Sequence, residues 1–161
     1  MLAGMINEKD PSLKILDCSS QFTRSANDCF RVNFNREHIP GAKLLDMDTF
    51  KDMRSDLNYM MPDEKYFCDR MKILDIKLTD TVICYDTGDQ QWFGYRAAWM
   101  FQAMGHPKVA VLDGGLKKWK FEGHPIESFD EDVCDSDFDY KLNADRVWNT
   151  KQIKQYEKVA N

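Results

Sequence analysis

The stretch TVICYD, Thr81–Asp86, is followed by the glycine-containing loop TGDQQ and then by WFGYRAAWMFQAM. TVICYD is a nearly continuous apolar run of strand length, which is typical of a parallel strand covered on both faces. The segment from Phe93 to Met104 has the composition of a buried helix, and Gly105 suits the left-handed position after its last turn. We therefore predict a strand, a loop that begins at Asp86, and a helix.

The same alternation continues on both sides of this unit. LKILD (13–17) and VAVLD (109–113) have the pattern of strands, and we expect the second to be buried. Helices are predicted after Pro62, which suits a first helical turn, and over LKKWKFE (116–122). Strands and helices that alternate over short connections predict an α/β fold with a mostly parallel central sheet, helices on both faces and right-handed crossovers.

Composition excludes some classes of function. The 161 residues have 43% hydrophobic content, which is enough for one packed core, and the formal net charge is -5. This negative charge argues against a nucleic-acid groove, because phosphate binding needs clustered Lys and Arg. No run approaches the roughly 20 apolar residues that cross a bilayer. The N-terminal MLAGMINEKD has no targeting pattern. We expect no nucleic-acid partner, no membrane partner, and a location in the cytosol or the mitochondrial matrix.

Cysteine and histidine spacing gives no metal or redox motif. The five cysteines are odd in number and form no Cys-x-x-Cys pair, so we expect free thiols in a reducing compartment; they are Cys18, Cys29, Cys68, Cys84 and Cys134. The three histidines are isolated and show no ligand spacing. No metal site and no cofactor are predicted.

The C-terminal part differs in composition from the rest. ESFDEDVCDSDFDY (127–140) carries seven acidic residues and is expected to be a solvated loop. In NTKQIKQYEKVAN, Asn149 or Thr150 can cap a helix that has Ile153, Tyr156 and Ala160 on one face. We therefore expect one domain at 1–126 and, at 127–161, an acidic linker with the start of a helix that leads towards a second domain.

Several motifs in order are similar to one family. FNREHIPGAKLL (34–45) has an aromatic residue, His38, the turn Pro40-Gly41 and then an aliphatic residue. VLDGGLKKW (111–119) has a strand, a Gly-Gly turn and a helix. With VICYD and RAAWMFQAMGH, these segments resemble the rhodanese-like sulfurtransferases over roughly residues 13–126. The resemblance implies a rhodanese-like fold, with a structural family motif at His38, Pro40, Gly41, Asp113, Gly114 and Gly115.

The chain is most similar to the first, non-catalytic domain of two-domain thiosulfate or 3-mercaptopyruvate sulfurtransferases. In a catalytic domain of this family, a loop cysteine takes the outer sulfur of an anionic donor and holds it as a persulfide, and loop amides and a helix N-terminus favour its thiolate. Here Asp86 stands at that position. Cys84 lies two residues earlier, inside the strand, and we interpret it as a core residue.

The loop residues lead to four expectations. A carboxylate cannot carry a transferable sulfur, so Asp86 is expected to accept the amide hydrogen bonds that a catalytic loop offers its substrate. Asp89 adds a negative charge that would repel sulfite or thiosulfate. Arg96 is expected to form an ion pair with Asp86 or Asp89. Trp92 and Phe93 either cover the core or, as the resemblance implies, form the apolar wall of a cleft between two domains.

The resemblance implies a parent enzyme that moves sulfur from a small anionic donor to cyanide or a thiol. Its second rhodanese domain, on the same polypeptide, would carry the nucleophilic cysteine, and this chain alone would be inactive. The alternative is a stand-alone inactive module for binding or regulation. A third hypothesis makes Asp86 the nucleophile of a phosphoryl-transfer enzyme at a strand's carboxyl end, but no pattern of Lys and Asp completes a magnesium site.

Overall fold

A four-stranded parallel sheet forms the centre of the molecule, whose computed structural model describes residues 2–20, 34–128, 147 and 150–160. The described strands run in the order β2-β1-β3-β4 and are β1 (Leu13–Asp17), β2 (Ala42–Leu44), β3 (Thr81–Tyr85) and β4 (Val109–Val111). Each pairing is parallel, and Asp17 lies opposite Tyr85. The carboxyl ends of β1 and β3 therefore meet at one edge of the sheet. The predicted α/β fold with a parallel sheet is confirmed.

The helices cover both faces of the sheet, as predicted. Those with described bounds are α1 (Leu2–Asn7), α2 (Glu64–Ile73), α3 (Trp92–Ala103), α4 (Gly115–Phe121) and α5 (Thr150–Ala160). Successive strand residues point to opposite faces, so neighbours in sequence enter different parts of the core. Leu16 and Cys84 pack with residues of α2 and α3, whereas Ile15 and Tyr85 pack with residues of α1 and α4.

The start of α2 corrects one detail. The helix begins at Glu64 because the Asp63 side chain accepts a hydrogen bond of 2.8 Å from the backbone N–H of Tyr66, which is the geometry of an N-terminal cap. Pro62 therefore precedes the cap and does not lie in the first turn. The helix predicted over 93–104 is observed as α3, and Gly105 has the expected left-handed φ of 87°.

The expectation of a buried strand at 109–113 is wrong. β4 covers only Val109–Val111, with Ala110 exposed and both valines half-buried. Its position explains this, since β4 lies at the end of the described strand order, with β3 on one side. Aliphatic composition indicates a strand but does not distinguish an edge strand from a central one.

The two ends of the chain add structure of different kinds. α1 was not predicted from the sequence, and its Leu2 packs in the core cluster that contains Trp119. The predicted C-terminal helix is observed as α5, although Ile153 and Tyr156 are exposed. Most of the segment predicted to be an acidic linker, residues 129–146, lies outside the described residues. Within the described ranges, none of the helices has the length and apolar content needed to cross a bilayer.

The HIPGA turn holds the segment that follows α4. His38 and Glu127 exchange two backbone hydrogen bonds of 2.9 Å each, and the Gly41 N–H donates to Glu127 Oε2 at 2.9 Å. The buried His38 ring stacks on Phe34 at 4.3 Å, with Nδ1 2.8 Å from the Phe34 carbonyl oxygen. His38 thus makes the kind of structural hydrogen bond that was expected from its position before the Pro-Gly turn.

Candidate functional site

The loop between β3 and α3 lies at the carboxyl edge of the sheet, where ligands bind in many α/β proteins. Asp86 opens this loop and is fully buried. Its Oδ2 accepts hydrogen bonds from the backbone N–H groups of Phe93 and Gly94, each at 2.9 Å, and its Oδ1 accepts one from Gly88 at 2.7 Å. The expectation that Asp86 accepts the loop's amide hydrogen bonds is confirmed.

Burial and hydrogen bonding have opposite effects on the Asp86 carboxyl. Loss of water raises its pKa above the ordinary 3.8, and this effect exceeds the lowering by the amides of Gly94, Gly88 and Phe93. The Asp17 carboxylate at the end of β1 raises the pKa further. The site thus holds two buried carboxyl groups at the carboxyl ends of neighbouring strands.

Gln91 stabilises the loop through contacts that the sequence did not reveal. Its side chain folds back onto the loop: Oε1 accepts from the Asp86 N–H at 3.1 Å, and Nε2 donates to the carbonyl oxygens of Asp86 at 3.0 Å and Gly88 at 2.6 Å. Gln91 has a left-handed φ of 53° and precedes α3 without capping it. The sequence has no usual capping residue directly before α3, and this absence was the available signal. It indicates that another residue, here Asp86, accepts hydrogen bonds from the first amides of the helix.

The Gly-Gly turn approaches this loop from the other side. Gly115 has φ 53°, and a Cβ there would clash with the Asp86 carbonyl oxygen and the Gln91 side-chain amide. The Leu116 N–H donates to that carbonyl oxygen at 3.3 Å. Gly114 is also left-handed, and Asp113 pairs with Lys118 at the surface. Glycine at 115 is therefore required by the shape of the loop.

The end of β1 contributes a polar contact that was also missed. The Thr87 N–H donates to Ser19 Oγ at 3.1 Å, and the Ser19 N–H donates to Asp17 Oδ1 at 2.9 Å. Ser19 and Asp17 are fully buried. Their positions at the end of a strand and two residues beyond it were the available signal, because the carboxyl ends of parallel strands lie at the same edge of the sheet.

Cys84 lies inside β3 and is fully buried in the core with Leu16 and Phe101. Cys18 is also fully buried, and the loss of water raises the pKa of its thiol well above its usual value. The interpretation of Cys84 as a core residue is confirmed.

Three other candidate residues of the loop and the start of α3 lie in different environments; they are Asp89, Trp92 and Phe93. Phe93 is buried and packs edge-on against Tyr59, with ring centroids 5.1 Å apart, whereas Trp92 is 71% exposed. The core-covering interpretation is therefore correct for Phe93 and wrong for Trp92. Asp89 is exposed and pairs with Lys117 at 2.6 Å.

The predicted ion pair between Arg96 and Asp86 or Asp89 is wrong. Arg96 donates instead to the Tyr59 carbonyl oxygen at 2.7 Å, and its guanidinium carbon lies 4.5 Å from the centroid of the Trp99 ring. Burial lowers the pKa of Arg96. Arg96 forms no ion pair with Asp86 because the Asp86 carboxylate is turned towards the backbone amides at the start of α3.

The other histidines have structural contacts. His106 is buried and lies edge-on to Phe101. His124 packs on Trp119, with ring centroids 4.4 Å apart. Among the described residues, no group of three or more His, Cys, Asp and Glu side chains is arranged to hold a metal ion.

Replacing Asp86 by Ala is expected to lower the free energy of unfolding by about 1–3 kcal/mol, because three amides lose their buried acceptor. Chemical denaturation measures this change. Asp89→Ala is the matched control: it removes an exposed carboxylate of the same loop and should change stability by less than about 0.5 kcal/mol. An equal denaturation midpoint for Asp86→Ala and the wild type would contradict a structural role for the carboxylate.

The raised pKa of Asp86 predicts a pH dependence of this difference. The folded state binds the Asp86 proton more tightly than the unfolded state, so the stability that Asp86 contributes falls as the pH rises from 3.8 through the folded-state pKa. The wild type minus Asp86→Ala difference in unfolding free energy should therefore decrease with pH in this window. A difference that increases with pH would show that the amides, and not burial, dominate the pKa.

Gly115→Ala is expected to destabilise the fold by about 2–4 kcal/mol, because left-handed strain adds to the clash with the loop. Gly123→Ala is the control, since Gly123 has φ 74° but open space at the Cβ position. It should lose about 1 kcal/mol from strain alone. Equal losses in the two variants would exclude a close approach at Gly115.

The chain is similar to known proteins in sequence and in fold. The model of the rhodanese-like domain family matches residues 1–122. The chain is 35% identical to thiosulfate sulfurtransferase of Gallus gallus over 133 residues, which cover 81% of this chain and 45% of that protein. It is 31% identical to 3-mercaptopyruvate sulfurtransferase of Homo sapiens over 144 residues, 89% of this chain and 48% of that protein. The chain spans about half the length of the curated relatives it matches.

A solved structure extends the likeness beyond the sheet. The crystal structure of SseA from Escherichia coli, described as a 3-mercaptopyruvate sulfotransferase, aligns with a TM-score of 0.85 and 26% identity, over 97% of this chain and 60% of that one. The match of the family model includes the HIPGA turn, the β3 loop and the Gly-Gly turn, because all three lie within residues 1–122. With its homologues among the thiosulfate and 3-mercaptopyruvate sulfurtransferases, the chain belongs to the rhodanese-like domain family.

Proposed function

We propose that this chain is the non-catalytic first rhodanese domain of a two-domain sulfurtransferase. The parent enzyme transfers sulfane sulfur from thiosulfate or 3-mercaptopyruvate to cyanide or a thiol, through a persulfide on a cysteine outside these 161 residues. The domain described here has a structural role and forms one wall of the cleft between the two domains. It works in the cytosol or the mitochondrial matrix.

The position of the Asp86 carboxylate carries this proposal. Sulfur transfer in this family needs a thiolate in the loop after the strand, with amide N–H groups that stabilise its charge. In this chain the Asp86 carboxylate accepts hydrogen bonds from three backbone N–H groups, at 2.7–2.9 Å. An anionic donor would meet an amide cradle that is already filled and a second buried carboxyl group at Asp17. The loop is therefore built for stability and not for attack on sulfur.

The described thiols support the same conclusion. Cys84 and Cys18 are fully buried, and Cys68 lies on α2, away from the loop in sequence. A nucleophile must reach a donor in solution, so the buried thiols are unsuited to the reaction. The nucleophilic cysteine is then supplied by the second domain of the parent.

Two observations support a covered surface beside the loop. Trp92 is 71% exposed at the first turn of α3, where a second domain would bury it. The relatives are about twice as long as the segment that this chain matches. An inactive domain that acts alone as a binding or regulatory module is the alternative, and the same exposed tryptophan favours it. The two proposals differ in what the parent gene encodes after Asn161: a second rhodanese domain with a loop cysteine, or a stop codon or unrelated domain.

The isolated chain is expected to transfer no sulfur from thiosulfate to cyanide. Thiocyanate formation measures the reaction, and mass spectrometry after incubation with thiosulfate or 3-mercaptopyruvate should detect no added sulfur atom. Cys84→Ser should leave both results unchanged. Thiocyanate production that is lost in Cys84→Ser would contradict the proposal, because it would make Cys84 the nucleophile.

A further inference from the structure

The buried ring of His38 has one nitrogen without a hydrogen-bond partner. Its Nδ1 lies 2.8 Å from the Phe34 carbonyl oxygen, which can only accept, so Nδ1 carries a hydrogen and donates it. In the neutral ring Nε2 is then a bare acceptor. Within the described ranges no donor reaches Nε2, although His38 is fully buried. The neutral form of His38 therefore leaves a buried acceptor unsatisfied, which is unfavourable.

The Glu127 carboxylate lies on the side of the ring that has no partner. Its Oε2 is 4.0 Å from His38 Nε2 and accepts a hydrogen bond from the Gly41 N–H at 2.9 Å. The Glu127 side chain is 46% exposed, so it has room to rotate, and its second oxygen leaves an acceptor for Gly41. Moving the carboxylate closer by about 1 Å gives a charge-assisted hydrogen bond when Nε2 carries a proton. Acceptors for both nitrogens of a protonated ring are therefore in place.

Glu127 is the carboxylate that responds to the charge of the ring. Within the described ranges, no other carboxylate lies at ion-pair distance from His38. Glu37, the residue before His38, pairs instead with Lys120 of α4 at 2.6 Å. Among the described residues, the titratable and charged groups on the elements packed around His38 are Glu127, Arg36, Glu37, Tyr85, Lys120, Glu122 and His124.

We propose that His38 and Glu127 form a pH-sensitive latch that holds the segment after α4 against the HIPGA turn. When Nε2 is protonated, the ring donates to both the Phe34 carbonyl oxygen and the Glu127 carboxylate, and the carboxylate compensates the buried charge. When Nε2 is bare, the ring keeps only the bond to Phe34. Histidine side chains ordinarily change charge between about pH 5 and 8, so the latch tightens as the pH falls through this range.

The latch acts on a pairing that is weak by itself. His38 and Glu127 form an isolated antiparallel bridge with two backbone hydrogen bonds of 2.9 Å each. A pairing of this size opens locally without unfolding the core, so one further side-chain bond changes its opening markedly. Glu127 is also the first residue of the acidic stretch 127–140, and the latch fixes the position of that residue. None of these groups belongs to the β3 loop, so the proposal is independent of the non-catalytic assignment.

Hydrogen exchange of the His38 and Glu127 amides measures the latch on the intact chain. Each amide donates in the bridge, so its exchange rate, corrected for the intrinsic effect of pH, reports local opening. We expect about tenfold more protection at about pH 5.5 than at about pH 7.5, as one charge-assisted hydrogen bond would give. Nitrogen NMR of the His38 ring should show a hydrogen on Nδ1 alone at the higher pH and on both nitrogens at the lower pH.

Glu127→Gln separates the charge of the latch from its backbone pairing. The variant keeps the bridge and an oxygen for the Gly41 N–H but has no carboxylate, so protection should differ by less than about twofold between the two pH values. Because the Glu127 side chain is half exposed, this change leaves the core intact. Glu122→Gln is the matched control, since it removes a carboxylate that lies 3.3 Å from His124 in the same segment. Glu122→Gln and His124→Gln should both keep the tenfold difference.

Four results would overturn the proposal. Equal protection at the two pH values would show that the pairing does not respond to the charge of His38, and greater protection at the higher pH would show that burial of the charged ring opens it. A hydrogen on Nε2 at the higher pH would mean that this nitrogen is not a bare acceptor. An undiminished pH effect in Glu127→Gln, or its loss in His124→Gln, would assign the effect to other groups.

Discussion

The hydrogen bonding of the Asp86 carboxylate by the first amides of α3 determines the arrangement around the loop. A helix N-terminus has unpaired N–H groups and a positive end of its dipole, and both favour a negative group. Here the group comes from the strand that precedes the helix, and its contacts with Phe93 and Gly94 join β3 to α3. Because Asp86 supplies these bonds, the residue before the helix need not be a cap. Gln91 is then available to bind the loop backbone.

The contacts of Asp86 with the backbone also determine the environment of Arg96 and Trp92. Asp86 faces the backbone, so Arg96 is left to bind the Tyr59 carbonyl oxygen and to stack on Trp99. Trp92 and Phe93 are adjacent in sequence but point in different directions: Phe93 is buried in the core, and Trp92 is exposed. A buried structural side and an exposed aromatic side thus meet within the first turn of α3. This division agrees with a domain whose loop is stable and whose neighbouring surface is available for contact.

The parts of the fold that were predictable from sequence are those with a local cause. TVICY and the helix after it were predictable because apolar periodicity and a terminal Gly105 indicate them directly. His38 and Cys84 were placed correctly, one by its turn and the other by its position inside a strand. β4 was judged too deeply buried, since an edge strand and a central strand can have the same aliphatic residues. Pro62 was wrongly placed in the first turn of α2, because Asp63 caps the helix and the first turn begins at Glu64.

By itself, the sequence determined the order of three strands and four helices, the family, and the presence of Asp86 at the start of the loop that follows TVICY. These follow from residue identity and spacing along the chain. Only the tertiary structure decided which partners the loop residues choose: the amides for Asp86, a carbonyl oxygen for Arg96, and solvent for Trp92. Such choices depend on which groups of distant segments come within hydrogen-bond distance, and on how much water each group loses on burial. Neither quantity can be computed from neighbouring residues alone, because both are set by the packing of the whole sheet and its helices.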